Sequence, residues 1–249
     1  MSKIELKNQA KLLVDEVGVK LGQAVLEQGE KGYGLFHRHR YEILAEKFLE
    51  FKTKEPQNFL EIGSYNCFVP VLTQTIGYTS YGLDLPEFIE QFKGPELKFN
   101  LIIKPCDLSR EPIPFEDNWF DLINFSEVLE HFNFYPMPVL AEFLRVLKPG
   151  GRLLITTPNQ TRFNNRLKLL LGLSINWDIK EPFSPMTHAR EYTDKEVVWL
   201  LRHVGFTKIS VDYAHIDYPD INIWLRRLNR LVGKIYAPLA SNLIITAEK

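Results

Sequence analysis

Residues 58–67, Asn58-Phe59-Leu60-Glu61-Ile62-Gly63-Ser64-Tyr65-Asn66-Cys67, constrain this chain most. Asn58 to Ile62 suit a buried parallel strand, with an acid and a glycine standing where such a strand ends. About 20 residues further on, Tyr81-Gly82-Leu83-Asp84 reads as a second strand ending in a carboxylate. That is the spacing at which α/β nucleotide-binding folds place a ribose-binding acid. In an open α/β sheet, ligands lie outside the carboxyl ends of the strands. Glu61, Gly63 and Asp84 are therefore expected to line one crevice.

A dinucleotide site needs several glycines so that the backbone can approach a pyrophosphate at a helix N-terminus. Here Gly63 is followed by Tyr65 and Cys67. A carboxylate at Glu61 repels a pyrophosphate and suits a ligand carrying an ammonium and a sulfonium. The stretch resembles motif I of the class I S-adenosylmethionine (SAM) methyltransferases, acid-x-Gly-x-Gly-x-Gly. Glu61 and Gly63 are kept, while Tyr65 and Cys67 replace the later glycines and narrow the loop.

With 249 residues the chain is long enough for one α/β domain with additions. A net charge of −1 argues against a generally nucleic-acid-binding surface. Cys67 and Cys106, the only cysteines, lack metal-type spacing. No secretory leader and no apolar run of membrane-span length precedes or interrupts them, so a reducing cytoplasm is the default.

Apolar residues at Leu6, Ala10, Leu13, Val14, Val17, Leu21, Ala24 and Val25 predict a helix over 4–28, docked on the domain or lying over the cofactor. A second helix is expected from His37 to Phe51, with Ile43, Leu44, Phe48 and Phe51 inward. Residues 1–57 thus form an N-terminal helical part and 58–249 the main domain. The His37-Arg38-His39-Arg40 run is taken as exposed surface, although Tyr33, His37 and Arg38 are also candidate pocket residues.

Strands are expected at 58–62, 79–84, 98–104, 120–125, 152–157, 208–212 and 242–247. Helices are expected at 68–76, 86–92, 139–147, 162–172 and 193–204. Pro70 fits the first turn of its helix, Thr193 and Glu196 form a capping box, and Gly205 stops the last of these helices. Between 221 and 235, Ile221, Trp224, Leu225, Leu228, Leu231, Val232 and Ile235 make an apolar face opposite Arg226, Arg227, Arg230 and Lys234. Such a helix docks on its own domain, lies on an anionic membrane or holds a phosphate-bearing acceptor. The docked reading is preferred, with peripheral membrane contact through 221–235 as the alternative.

The run Phe120-Asp121-Leu122 … Ser126-Glu127-Val128-Leu129-Glu130-His131 … Arg145-Val146-Leu147-Lys148-Pro149-Gly150-Gly151 … Thr157-Pro158-Asn159 resembles the small-molecule branch of the SAM methyltransferases. It is similar to ubiquinone-biosynthesis O-methyltransferases and to sugar- and antibiotic-pathway relatives, over about residues 58–210. The resemblance implies a Rossmann-like, seven-stranded, mostly parallel sheet with an antiparallel last strand and helices on both faces. It implies SAM contacts from Glu61, Gly63, Ser64 and Tyr65, from Asp84 and Leu85 at the ribose, from Asp107 and Leu108 at the adenine, and from Ser126 and Glu127. An acceptor-pocket insertion near 160–190 would draw on Asn159, Phe163, Trp177 and Phe183.

Methyl transfer is an in-line displacement dominated by positioning, and a hydroxyl acceptor must also lose its proton. Histidine suits that task. His131 is the expected base, with Glu130 orienting it, and His188 is the second candidate. If residues 127–131 form a helical turn, Glu127, Glu130 and His131 share one face. The reading takes no metal as its default. Its alternative is a Mg²⁺ or Mn²⁺ site of Glu127, Glu130, His131 and His188, a pattern resembling small-RNA 2′-O-methyltransferases. A small-molecule acceptor is expected, not a nucleic acid, although the basic segments 162–168 and 226–234 leave RNA methylation open. The competing classes are an NAD-type oxidoreductase, opposed by Glu61 and the missing glycines, and a non-catalytic SAM-binding module.

Overall fold

The computed structural model describes residues 2–22, 37–64, 66–89, 96, 98–176, 180, 184, 186–216 and 223–249, without the side chains of 223–226. Its elements in chain order are α1 (Lys3–Leu21), α2 (Arg38–Phe51), β1 (Asn58–Ile62), α3 (Phe68–Ile76), β2 (Thr79–Asp84), α4 (Pro86–Ile89), β3 (Ile102–Pro105) and β4 (Phe120–Ser126). After a 3-10 turn at Leu129–His131 come α5 (Met137–Val146), β5 (Leu147–Pro158), α6 (Phe163–Leu170), α7 (Asp194–Val204), β6 (Thr207–Ala214), α8 (Ile223–Ile235) and β7 (Asn242–Glu248). The strands form one seven-stranded sheet in the order β3-β2-β1-β4-β5-β7-β6. β1 runs parallel to β2 and β2 to β3, whereas β7 is antiparallel to both β5 and β6. The Rossmann-like expectation is met. The chain divides into two compact units, Met1–Ile123 and Asn124–Lys249.

In the first unit, β1 buries Phe59, Leu60 and Ile62, with Glu61 buried between them. Phe48 and Tyr78 pack on Phe59 with ring centroids 5.1 and 5.8 Å away, and the Tyr78 hydroxyl donates to the Phe48 carbonyl at 2.8 Å. α1 opens with a capping box between Ser2 and Glu5, and buries Ala10, Val14, Val17, Gly18 and Leu21. It packs on α2 and α3, and an Arg38–Asp15 ion pair of 2.6 Å ties it to α2. It ends at Leu21 rather than continuing to residue 28, because Gly22 at φ 85° leaves the helical region. Ala24, Val25 and Tyr33 lie outside the described residues.

Two further expectations change. His37 and Arg40 are buried, not surface residues, since α2 turns Arg40, Tyr41, Leu44, Ala45 and Phe48 inward. The third strand starts at Ile102, not at Lys98. Residues 98–99 are helical, Asn100 takes a left-handed φ of 52°, and Leu101 N–H donates to the Glu96 carbonyl at 3.0 Å, closing that turn before β3 begins. The expected helix 86–92 is described only over Pro86–Ile89.

In the second unit, β5 is longer than expected. Lys148-Pro149-Gly150-Gly151 joins the strand instead of forming a separate turn, because the C-terminal residue extends the ladder: Lys249 N–H donates to the Gly151 carbonyl and Gly150 N–H to the Lys249 carbonyl. The capping box of Thr193 and Glu196 starts α7, and Gly205 at φ 115° ends it. α8 packs against α6 and the 3-10 turn Ala237–Leu239, with part of its apolar face in solvent. Leu228, Leu231 and Ile235 are exposed, and the buried position in that stretch is Gly233, where a Cβ would lie 1.9 Å from His215 Nε2.

Candidate active site

The first unit carries the loop after β1. Register pairs Glu61 with Gly82 and Ile62 with Leu83, so Glu61 and Asp84 stand at the carboxyl ends of neighbouring parallel strands. Gly63 turns at φ 80°, and the Gly63 and Ser64 N–H groups both donate to the Leu83 carbonyl, at 2.9 and 3.2 Å. Gly82 makes that turn possible: a Cβ there would lie 2.2 Å from Ser64 Oγ. Asn66 braces the other side, donating from Nδ2 to the Tyr41 hydroxyl (3.2 Å) while its Oδ1 accepts from Phe68 N–H (3.0 Å). Tyr41 in turn stacks on Phe68 with centroids 4.0 Å apart. Cys67 enters α3 from a left-handed φ of 59°, and burial pushes its thiol up to about 12, so it is no nucleophile. A shallow concavity opens beside this loop, lined by Ser64, Cys67, Asp84, Phe88, Ile89, Glu96 and Ile103.

Glu61 is buried, and Asp84 accepts from Leu85 N–H at 2.8 Å. Asp107 is engaged by its own turn. Its Oδ1 accepts from Ser109 N–H (3.0 Å) and Oγ (2.6 Å), and Arg110 lies 3.4 Å from Oδ2. Leu108 sits inside that turn, and Tyr65 lies outside the described residues.

The second unit holds a histidine cluster. His131 Nδ1 lies 3.1 Å from the Thr187 carbonyl. A carbonyl can only accept, so in the neutral ring Nδ1 carries the proton and Nε2 the lone pair. The His131 and His188 rings meet edge to face at 4.8 Å. Burial, with His188 alongside, lowers His131 to about 4, so it is neutral near pH 7. Glu130 is fully buried and accepts from Thr157 Oγ1 at 2.9 Å.

Behind His188 stands Glu191, its Oε1 4.0 Å from His188 Nδ1, an electrostatic contact longer than a formed hydrogen bond. Arg162 donates to both Glu191 oxygens, at 2.5 and 2.8 Å, and Asn165 Nδ2 donates at 2.9 Å. Burial on its own would raise the Glu191 carboxyl; His188, Arg162 and Asn165 outweigh it and hold the group at about 2.

A model of the family described as "Methyltransferase domain" matches residues 36–211. The chain belongs to that family. The methyltransferase is similar in fold to a SAM-dependent methyltransferase from Archaeoglobus fulgidus, with 18% identity over 87% of this chain and 99% of that one and a TM-score of 0.60. It is also similar to a SAM-dependent methyltransferase from Thermotoga maritima described as a possible histamine N-methyltransferase (16% identity, 92% and 100% covered, TM-score 0.57). A third similar structure is phosphoethanolamine N-methyltransferase 2 from Haemonchus contortus with SAM bound (15%, 82% and 52% covered, TM-score 0.55). A comparison with curated proteins returns no match. The methyltransferase is SAM-dependent and of class I, and the oxidoreductase reading is set aside.

Sequence reasoning expected Glu127, Glu130 and His131 on one helical face, and the structure separates them. Glu127 has φ 55°, so the chain reverses there and the 3-10 turn begins only at Leu129. Its carboxylate accepts from Thr156 Oγ1 (2.9 Å) and Asn242 Nδ2 (3.3 Å), anchored on β5 and β7. Among the described residues, Glu130, His131 and His188 are the one group of three potential ligands whose donor atoms all lie within 4.8 Å of one another. Ser126 Oγ donates to Asn124 Oδ1 at 2.8 Å.

Asn159, expected in an acceptor pocket, is a buried brace that donates to the Pro238 and Ala240 carbonyls at 2.9 Å. Phe163 is half-buried, and Trp177 and Phe183 lie outside the described residues. Glu191 and its Arg162 clamp were given no role in the sequence reading. The signal was the three-residue spacing from His188 to Glu191. Arg162 lies 29 positions from its partner, beyond any local pattern.

Proposed function

We propose that this methyltransferase transfers a methyl group to a hydroxyl of a small-molecule acceptor, a sugar, lipid-linked intermediate or phenolic ring, in the manner of ubiquinone-pathway O-methyltransferases. The observation that carries this reading is His131, buried, neutral near pH 7, with Nδ1 turned to a carbonyl and the lone pair left on Nε2. An imidazole so prepared removes a proton from a hydroxyl, a step a neutral amine acceptor does not need before attack. Both cysteines are free and buried, which supports action in a reducing cytoplasm.

The residues present fit the cofactor. Glu61 and Asp84 offer carboxylates at adjoining strand ends, and Gly82 leaves the room in which the Gly63–Ser64 turn seats. SAM, when bound, supplies an electrophilic methyl on a sulfonium. Asp84 accepts hydrogen bonds from the ribose hydroxyls, and Glu61 offers negative charge to the ammonium. His131 receives the acceptor proton at Nε2. Glu130, 0% exposed and accepting from Thr157 Oγ1, lies beside His131 and is the group that orients it. His188, with the Glu191 carboxylate 4.0 Å from its Nδ1, borders the acceptor.

A metal is the second reading, favoured by the convergence of Glu130, His131 and His188. Two imidazoles and one carboxylate suit Mn²⁺ or Zn²⁺ better than the oxygen-preferring Mg²⁺. Calorimetric titration with S-adenosylhomocysteine, with and without Mn²⁺, followed by methyl transfer to a panel of hydroxyl and amine acceptors, tests both readings. Micromolar binding with turnover on hydroxyls alone supports the proposal. Turnover confined to amines sinks it, binding without turnover on any acceptor favours a binding module, and turnover lost to chelation and restored by Mn²⁺ selects the metal.

A further inference from the structure

The C-terminal half of α6 and the turn after it read Leu167-Lys168-Leu169-Leu170-Leu171-Gly172-Leu173. All five leucines stand in solvent, Leu170 at 83% and Leu171 at 64% exposure. Scattered exposed leucines are ordinary, but a contiguous run at one tip marks a docking surface. α8 packs beside α6 and adds exposed Leu228, Leu231 and Ile235, with Tyr236 56% exposed at its end. Asn159 joins the two helices, since it precedes α6 and donates to the carbonyls of Pro238 and Ala240 behind α8.

The flanking charge decides the occupant. Arg162 is taken up by Glu191, but residues 163–176 carry Arg166 and Lys168 and no acid, and residues 227–241 carry Arg227, Arg230 and Lys234 and no acid. The chain as a whole has a net charge of −1, so this surface is set apart in sign. We propose that the α6 tip and the exposed face of α8 form a site that seats the protein on an anionic lipid bilayer. The leucines enter the acyl boundary, the cations meet the headgroups, and Tyr236 takes the interfacial position such rings prefer. No described helix is long and apolar enough to cross a membrane, so the protein would lie on the bilayer. The proposal does not depend on the acceptor proposed above.

The test is co-sedimentation of the full chain with vesicles of phosphatidylcholine alone or with about one-third phosphatidylglycerol. The wild-type protein is expected to sediment with the anionic vesicles, to be released as salt rises toward about 1 M, and to ignore the neutral ones. Leu170→Glu combined with Leu171→Glu should lower partitioning at least tenfold, and Leu170→Phe should preserve it. Lys168→Gln and Lys234→Gln should each lower it about fivefold. Unchanged S-adenosylhomocysteine affinity and melting temperature in these variants exclude misfolding as the cause. Equal sedimentation with and without vesicles, or a glutamate variant that binds like wild type, overturns the proposal. So does a chain that ignores vesicles but forms a dimer which the glutamate variant dissociates; a second copy then covers the tip.

Discussion

Glu191→Gln is expected to cost the methyltransferase about 3 kcal/mol at neutral pH, and most of that loss should vanish in acid. Glu191 accepts two hydrogen bonds from Arg162 and one from Asn165, and its carboxyl is held at about 2 instead of the ordinary 4.5. Each unit of such a difference corresponds to about 1.4 kcal/mol. Glutamine keeps the shape but removes the charge opposite a guanidinium whose side chain is only 21% exposed. Breaking a buried pair from one side typically costs about 3–5 kcal/mol, and the two routes agree in magnitude.

The pH dependence has a fixed sign. A carboxyl with a depressed folded value contributes fully above its unfolded value and loses that contribution as pH falls through the folded one. The window therefore opens near 4.5 and closes near 2, and by about pH 3 less than half should remain. Thermal and urea unfolding of both proteins at about pH 7 and about pH 3 measure this, with a neutral-pH drop in melting temperature of about 6–12 °C. Equal stability at pH 7, or a gap that stays constant into acid, would refute the account of Glu191 as an ionised clamp.

His131→Ala should lower kcat by about 10²–10⁴-fold with S-adenosylhomocysteine affinity nearly intact; a large loss of affinity would instead make His131 part of the cofactor site. With native His131 lowered to about 4, the acid limb of the kcat/KM profile should fall near pH 4 rather than near 6.5, read by initial rates. Asp84→Ala should weaken SAM binding by about 1–3 kcal/mol through loss of a charge-assisted hydrogen bond, and unchanged calorimetric affinity in a folded variant would remove it from the ribose. Gly82→Ala forces Ser64 away from β2, where a Cβ would meet its Oγ at 2.2 Å. A stability loss of about 1–3 kcal/mol together with weaker cofactor binding is expected, whereas wild-type values for both would show that the loop yields freely.

Patterns that repeat within a few residues were legible in the sequence. The apolar run 59–62, the capping box at Thr193 and the glycine stop at Gly205 each depend on neighbours within one strand or turn, and each is present as read. Glu61, Gly63 and Asp84 were placed correctly at strand ends, because parallel strands bring their carboxyl ends to one edge whatever the rest of the chain does. Strand limits were less legible: β5 gained residues from its pairing with the C-terminus, which no local window contains.

Tertiary structure decided the chemistry around the histidines. Glu127 and Glu130 have the same side chain three positions apart, yet one is anchored to Thr156 and Asn242 and the other joins His131, because a left-handed residue breaks the helical face they were expected to share. His131 is lowered because folding buries it beside His188, and Glu191 is lowered because folding delivers Arg162 from 29 residues away. Sequence alone determined the strand segments, their ligand edge and the residues available there, and it was the resemblance carried by the motifs that implied the seven-stranded sheet. Which charges meet, and with what pKa, was decided only by the fold, because electrostatic energies depend on distance and burial rather than on order along the chain.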